Sequence, residues 1–153
     1  TDVLSIQKRG EQMNACFLFG HADTPLSALS DLVEAIERAV SEGTNVFYVG
    51  YHGSFDRMAA TALRQCKQKH SDIAAILVLP YHPAEYSVEK PDGFDGTYYP
   101  PLENIPRRVA LIRANQYMIQ SSDRIICYVK HYGNSRNLLA YAQKRGIPIT
   151  NIG

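Results

Sequence analysis

Residues 45–59 read NVFYVGYHGSFDRMA. A short apolar run, Val46 to Val49, stops at Gly50, and after the turn Phe55, Met58, Ala59, Ala62, Leu63 and Cys66 recur at three-and-four spacing. The first pattern is that of a buried strand and the second that of an amphipathic helix, with Ser54 placed to cap its start. Strands followed by helices lie on either side of it, with no internal sequence repeat. Upstream, a strand at 15–19 precedes a stripe of Leu26, Leu29, Leu32, Val33, Ile36 and Val40 that Gly43 ends. Downstream come the most apolar run, Ile73 to Leu79, a helix from about Arg107 to Ser121, a strand at Ile125–Val129, a helix at Ser135–Lys144 and a last strand at Ile147–Ile152. Strands that are continuously apolar, each followed by a helix, indicate a parallel sheet covered on both faces. The expected fold is therefore α/β: a single Rossmann-like three-layer domain with a mainly parallel sheet of about five strands and helices on both faces. Residues 1–14 are expected to form an N-terminal extension and 15–153 the domain. Residues 80–106, rich in Pro, Gly and Tyr, are too long for an ordinary connection and stand out as a lid or binding loop.

Composition removes several classes of function. Sixteen Lys and Arg against fifteen Asp and Glu leave a formal charge of +1 in 153 residues, with no basic cluster. Independent nucleic-acid binding and attachment to an anionic membrane face are not expected of such a surface. Cys16, Cys66 and Cys127 are odd in number, lie in apolar runs and lack metal-type spacing, which favours reduced thiols in a cytoplasmic protein. The first fourteen residues lack the apolar run of a signal peptide, and no stretch approaches twenty apolar residues. No membrane association is expected.

Four of the five histidines fall where an apolar run gives way to a polar loop: His21, His52, His82 and His131. In a parallel sheet these positions share the carboxyl edge, where open α/β folds bind ligands. Two turns on that edge have the composition of an anion site. One is Gly50-Tyr51-His52-Gly53-Ser54-Phe55-Asp56 and the other is Gly133-Asn134-Ser135. Each is either a phosphate cradle, built from unpaired N–H groups at a helix start, or a tight turn with a helix cap. Neither is a G-x-G-x-x-G fingerprint or a Walker loop. Asp56 is the candidate base, alternatively a ribose contact or a helix cap. Asp23 or Thr24 is expected to cap the first helix, with Pro25 at its first position. His21, His52 and His131 converge only if the first strand lies between the second and the fourth. Because strand ends are spaced about 4.8 Å apart, a three-ligand metal site is not expected. His70, at the opposite end, is placed to cap a helix carboxyl terminus. Tyr81, Tyr86, Tyr98 and Tyr99 either stack a base, pack the loop, or form a homo-oligomer surface. Arg107 and Arg108 open a helix against its dipole, which points to an anionic partner or to a carboxylate such as Glu103.

Several segments carry a resemblance beyond pattern. FGHADTP (19–25), FYVGYHGSFDRMA (47–59), YYPPLENIPRRVAL (98–111), Asn115-x-Tyr117-Met118 with Ser122-Asp123 after it, and YVKHYGNS (128–135) resemble an uncharacterised bacterial family of the SLOG superfamily. That superfamily also holds the LOG-type nucleotide hydrolases and the DprA-type DNA-processing proteins. The resemblance implies a Rossmannoid fold and a nucleotide-like small molecule as partner, with no resident cofactor beyond such a bound nucleotide. Together with the two turns, this gives expected ligand contacts from Gly20, His21, Thr24, Gly50, His52, Gly53, Ser54, Asp56, Asn115, Gly133, Asn134 and Ser135, with Asp56 and His21 as catalytic candidates. The chain departs from that pattern in three places. Gly133-Asn134 stands where relatives often have two glycines, and Ala114 precedes Asn115 where they often have Arg. The LOG hydrolases carry a glutamate just after their glycine turn, whereas residues 135–146 contain no carboxylate. Phosphoribohydrolase chemistry by that glutamate is therefore disfavoured, which leaves binding ahead of turnover.

Overall fold

The computed structural model describes residues 12–102 and 104–153. The first eleven residues, most of the expected extension, and Glu103 lie outside the described residues. Among the described residues, six strands form one fully parallel sheet: β1 (Ala15–Gly20), β2 (Val46–Val49), β3 (Ala74–Val78), β4 (Gly96–Tyr98), β5 (Arg124–Tyr128) and β6 (Ile149–Asn151). Their spatial order is β4-β3-β2-β1-β5-β6. Four α-helices connect them: α1 (Leu29–Ser41), α2 (Ser54–Lys69), α3 (Arg107–Ser121) and α4 (Asn134–Lys144). The domain is thus the expected Rossmann-like α/β fold, with one strand more than the apolar runs indicate.

The sheet is buried on both faces, which is why its strands carry no polar alternation. On β1, Cys16 and Leu18 point to the layer of α1 and α2, among Leu32, Ile36, Phe55, Met58 and Leu63. Phe17 and Phe19 point the other way, to Met118 and Ile119 of α3 and Leu138 and Leu139 of α4. All three cysteines are buried and free. Burial pushes the thiols of Cys66 and Cys127 up to about 12, so they are core groups rather than nucleophiles.

The additional strand, β4, lies within the stretch expected to be irregular. Its three residues carry too little apolar signal to declare a strand, and tertiary contacts hold it. Asp95 N–H donates to Ala75 O and Ala75 N–H returns to the Asp95 carboxylate, both at 2.8 Å. Lys67 of α2 pairs with the same carboxylate.

Two expected caps are replaced. Leu26–Ala28 form a 3-10 turn before α1, and neither Asp23 nor Thr24 caps that turn or α1. Thr24 Oγ1 instead donates to His21 O at 2.7 Å. At α2, Gly53 occupies the cap position, and the Ser54 hydroxyl donates to Thr24 O at 2.6 Å. His70 closes α2 through its backbone N–H to Cys66 O, while its imidazole Nε2 meets Glu37 of α1 at 2.6 Å.

Candidate functional site

β1 pairs with both β2 and β5. The chain therefore runs outward from β1 to β4 and then returns to the other side of β1. That reversal opens a crevice at the carboxyl ends of the central strands, the switch point where such sheets accept ligands. The loops after β1, β2 and β5 and the first turns of α2 and α4 meet there.

His21 forms the back of this region. It is 4 % exposed, and its Nε2 accepts the backbone N–H groups of Lys130 at 2.8 Å and His131 at 3.2 Å. An imidazole nitrogen that accepts two amide protons is unprotonated, so the ring is neutral with its proton on Nδ1. Burial, and then the charge on His131, hold its pKa below the ordinary value. The His131 ring stacks on it at 3.6 Å between centroids. His131 is its electrostatic opposite: Nδ1 faces Tyr132 O at 2.8 Å and Nε2 faces Asp23 Oδ1 at 3.1 Å. The hydrogen bond to the Tyr132 carbonyl, and next that to Asp23, raise its pKa. Potential ligand atoms of His21, Asp23 and His131 lie within 4.8 Å of one another. Both His131 nitrogens face acceptors and His21 Nε2 is already bonded, so these atoms serve to lock the β1 and β5 loops together. A metal would have to displace those bonds.

A cavity of about 150 Å³ lies where the loops after β1 and β2 meet the first turns of α2 and α4. Its walls include Gly20 of β1, Gly50 and His52 after β2, Asp56 of α2, Asn115 of α3, and Asn134 and Ser135 of α4. These seven residues, drawn from five separate stretches, are ones the sequence singled out. The remaining candidates sit around the cavity. His21 and Thr24 hold the β1 loop, Gly53 and Ser54 pack beneath it, and Gly133 precedes the first turn of α4. The apolar walls, Phe17, Phe19, Leu111 and Leu138, were missed by the sequence reading. Leu111 was accessible to it, since it lies one helical turn before Asn115. Arg113 is exposed and does not line this cavity.

The two glycine turns differ in what they present. Ser54 N–H donates to Ala22 O at 2.9 Å, and a Cβ on Gly53 would come 2.7 Å from Ala22 Cα. The start of α2 is therefore occupied by the β1 loop. Gly133 has φ 142°, and a Cβ there would meet nothing within 4 Å. The first N–H groups of any helix lack intrahelical partners, and at α4 Asn134 and Ser135 line the cavity. Of the two helix starts, that of α2 has the β1 loop packed against its leading glycine, and that of α4 has no described atom within 4 Å of a Gly133 Cβ.

Asp56 faces the cavity from the other side. Its Oδ2 accepts His52 N–H at 2.7 Å, closing the turn after β2. Burial pushes its carboxyl up to about 6, with the His52 hydrogen bond only partly opposing. A carboxyl of this kind gives up or accepts a proton close to neutral pH.

The tyrosines of the long stretch separate into two groups. Tyr98, on β4, meets Tyr48 and Tyr117. Tyr81 and Tyr86 meet each other edge-on, and Tyr99 meets the His82 ring. No helix among the described residues is long and apolar enough to cross a membrane.

No family model matches the chain, and no curated protein matches it. Among solved structures, a Moco carrier protein from Chlamydomonas reinhardtii superposes with a TM-score of 0.56 at 19% identity, covering 90% of this chain and 75% of that one. Another structure of the Chlamydomonas Moco carrier protein gives a TM-score of 0.54 at 17% identity, covering 90% and 74%. At such identity the likeness is one of fold.

Proposed function

We propose that this domain binds a small phosphorylated, nucleotide-like molecule at the carboxyl edge of its sheet, as a cytoplasmic member of the SLOG superfamily. The observation that carries this is the convergence of Gly50, His52, Asp56, Asn115, Asn134 and Ser135 on one cavity beside the open start of α4. Phosphate oxygens would take the α4 N–H groups and the Ser135 hydroxyl. Asn115 and Asp56 face them across the cavity and suit sugar hydroxyls. Binding without turnover also agrees with the solved neighbours, which are named as carriers. The test is a thermal-shift panel of nucleotides and sugar phosphates, with mass spectrometry on the same samples. A ligand at a hundred times its Kd should stabilise the native state by about 2.7 kcal/mol. Absence of stabilisation by every phosphorylated probe would refute the proposal.

Turnover is the alternative, favoured by one observation: Asp56 is a half-buried acid whose desolvation raises its pKa to about 6, well suited to proton transfer. Release of a free base or a sugar phosphate, lost in Asp56→Asn, would make the protein a nucleotide hydrolase of the N-glycosidase kind.

A further inference from the structure

The cavity at the switch point, about 150 Å³, accommodates a phosphate-sized group, while pockets that enclose whole ligands run from about 300 to 1,000 Å³. A cavity of that larger size lies next along the same sheet edge. It measures about 510 Å³ and opens between the stretch after β3 and the first turns of α3. Tyr81, His82 and Tyr99 form its aromatic wall, Leu102 is apolar, and Asn104 and Arg107 bring polar groups. The Arg107 guanidinium lies 4.8 Å from the centre of the Tyr81 ring, and His82 meets Tyr99 edge-on at 5.4 Å. His82 Nδ1 accepts Ala84 N–H at 3.0 Å, which leaves Nε2 as the donor of the neutral ring.

Loop packing alone does not account for this arrangement, because aromatic residues that merely closed the loop would fill the volume between them. Here they border open space. The two cavities are also flanked by shared elements on two sides. Arg107 and Ala110 line the larger one and Leu111 and Asn115 the smaller, so α3 runs past both over about 12 Å from Arg107 to Asn115. On the β2 side, His52 at the small cavity packs on Tyr51 at 4.1 Å between ring centres. Tyr51 in turn lies near Tyr86 and Tyr81.

We propose that the cavity under the long loop is the ring-binding half of the ligand site. It takes a planar heterocycle joined to the phosphate held at α4, with Tyr81 and Tyr99 as stacking surfaces and Arg107 as the cation over the ring. Asn104, His82 and Glu85 supply donors and acceptors for the heterocycle's edge. This rests on the phosphate-binding function proposed above, and the test separates the two.

Calorimetric titration compares guanosine, cytidine and flavin 5′-phosphates with guanosine, cytidine and riboflavin, and with ribose 5-phosphate. At least one nucleotide should bind about tenfold tighter than ribose 5-phosphate, the gain expected of one stacked ring. Tyr81→Leu and Arg107→Gln, both at the cavity wall and away from the core, should each weaken that nucleotide about three- to tenfold and leave ribose 5-phosphate unchanged. Equal affinity for ring-bearing and ringless phosphates, or equal weakening of both by the two variants, would overturn the ring site and leave the phosphate site standing. Binding of nucleosides that responds to the variants, with no binding of ribose 5-phosphate, would do the reverse. No binding by any probe would remove both.

Discussion

The turns at Gly50–Ser54 and Gly133–Ser135 look alike in sequence, yet they meet opposite fates. Each follows a parallel strand, carries glycine and serine, and opens a helix. At the first, the β1 loop arrives before any ligand: Ala22 O takes the Ser54 N–H, Thr24 O takes the Ser54 hydroxyl, and Gly53 lies against Ala22. At the second, no described residue comes within 4 Å of where a Cβ on Gly133 would sit. A helix start is thus an anion site only where no other segment has already satisfied it, and local sequence does not record which case applies.

The comparison can be broken most strongly at the glycines. Gly53→Ala drives a methyl into the backbone of Ala22 and should cost about 3 kcal/mol in denaturant unfolding. Gly133→Ala meets no atom; it suffers only from its positive φ, and should cost about 1 kcal/mol. Equal losses at the two positions would show that the close approach at Gly53 is not what distinguishes them. His21 is the next largest lever. His21→Leu orphans the Lys130 and His131 N–H groups and should cost about 2 kcal/mol.

Asp56 sharpens the contrast through pH. Its folded pKa of about 6 stands above the ordinary 3.8, so the native state binds the extra proton. The stability this contributes is present below about 3.8 and is lost as pH rises through about 6, a swing on the order of 3 kcal/mol. Asp56→Asn keeps an acceptor for His52 N–H and removes that loss, so the variant should be about 1–2 kcal/mol more stable than the parent at pH 8 and no more stable at pH 4. Phosphate-bearing ligands should bind the parent more tightly as pH falls toward 6, because protonation removes a like charge from the cavity. A pH-independent Kd between 5.5 and 8 would contradict this.

The smallest effects are expected at the serines. Ser54→Ala loses the bond to Thr24 O and about 1 kcal/mol of stability, with ligand affinity retained. Ser135→Ala should leave unfolding unchanged and weaken phosphate-bearing ligands about three- to tenfold, the loss of one hydrogen bond to a charged group.

Legibility in the sequence follows physical range. The starts of α2 at Ser54 and α3 at Arg107 and the limits of β2 are where apolar periodicity places them, because burial against a neighbouring layer imposes that periodicity residue by residue. β4 was not legible, since it is held where the adjacent Asp95 meets Lys67 and Ala75, which lie elsewhere in the chain. Leu111 could be found from Asn115 by helical spacing. The stacking of His21 on His131, which share no local motif, could not.

The sequence by itself determined a doubly covered parallel α/β sheet and the gathering of glycines and histidines at its carboxyl edge. Both are properties of local period and chain direction. Only the tertiary structure decided that β1 lies between β2 and β5, that His21 accepts two amide protons while both His131 nitrogens face acceptors, and that the β1 loop packs on the α2 start while no described residue packs on Gly133 at the α4 start. Those outcomes depend on which loops become neighbours across the sheet, and on whose carbonyls reach the free N–H groups first.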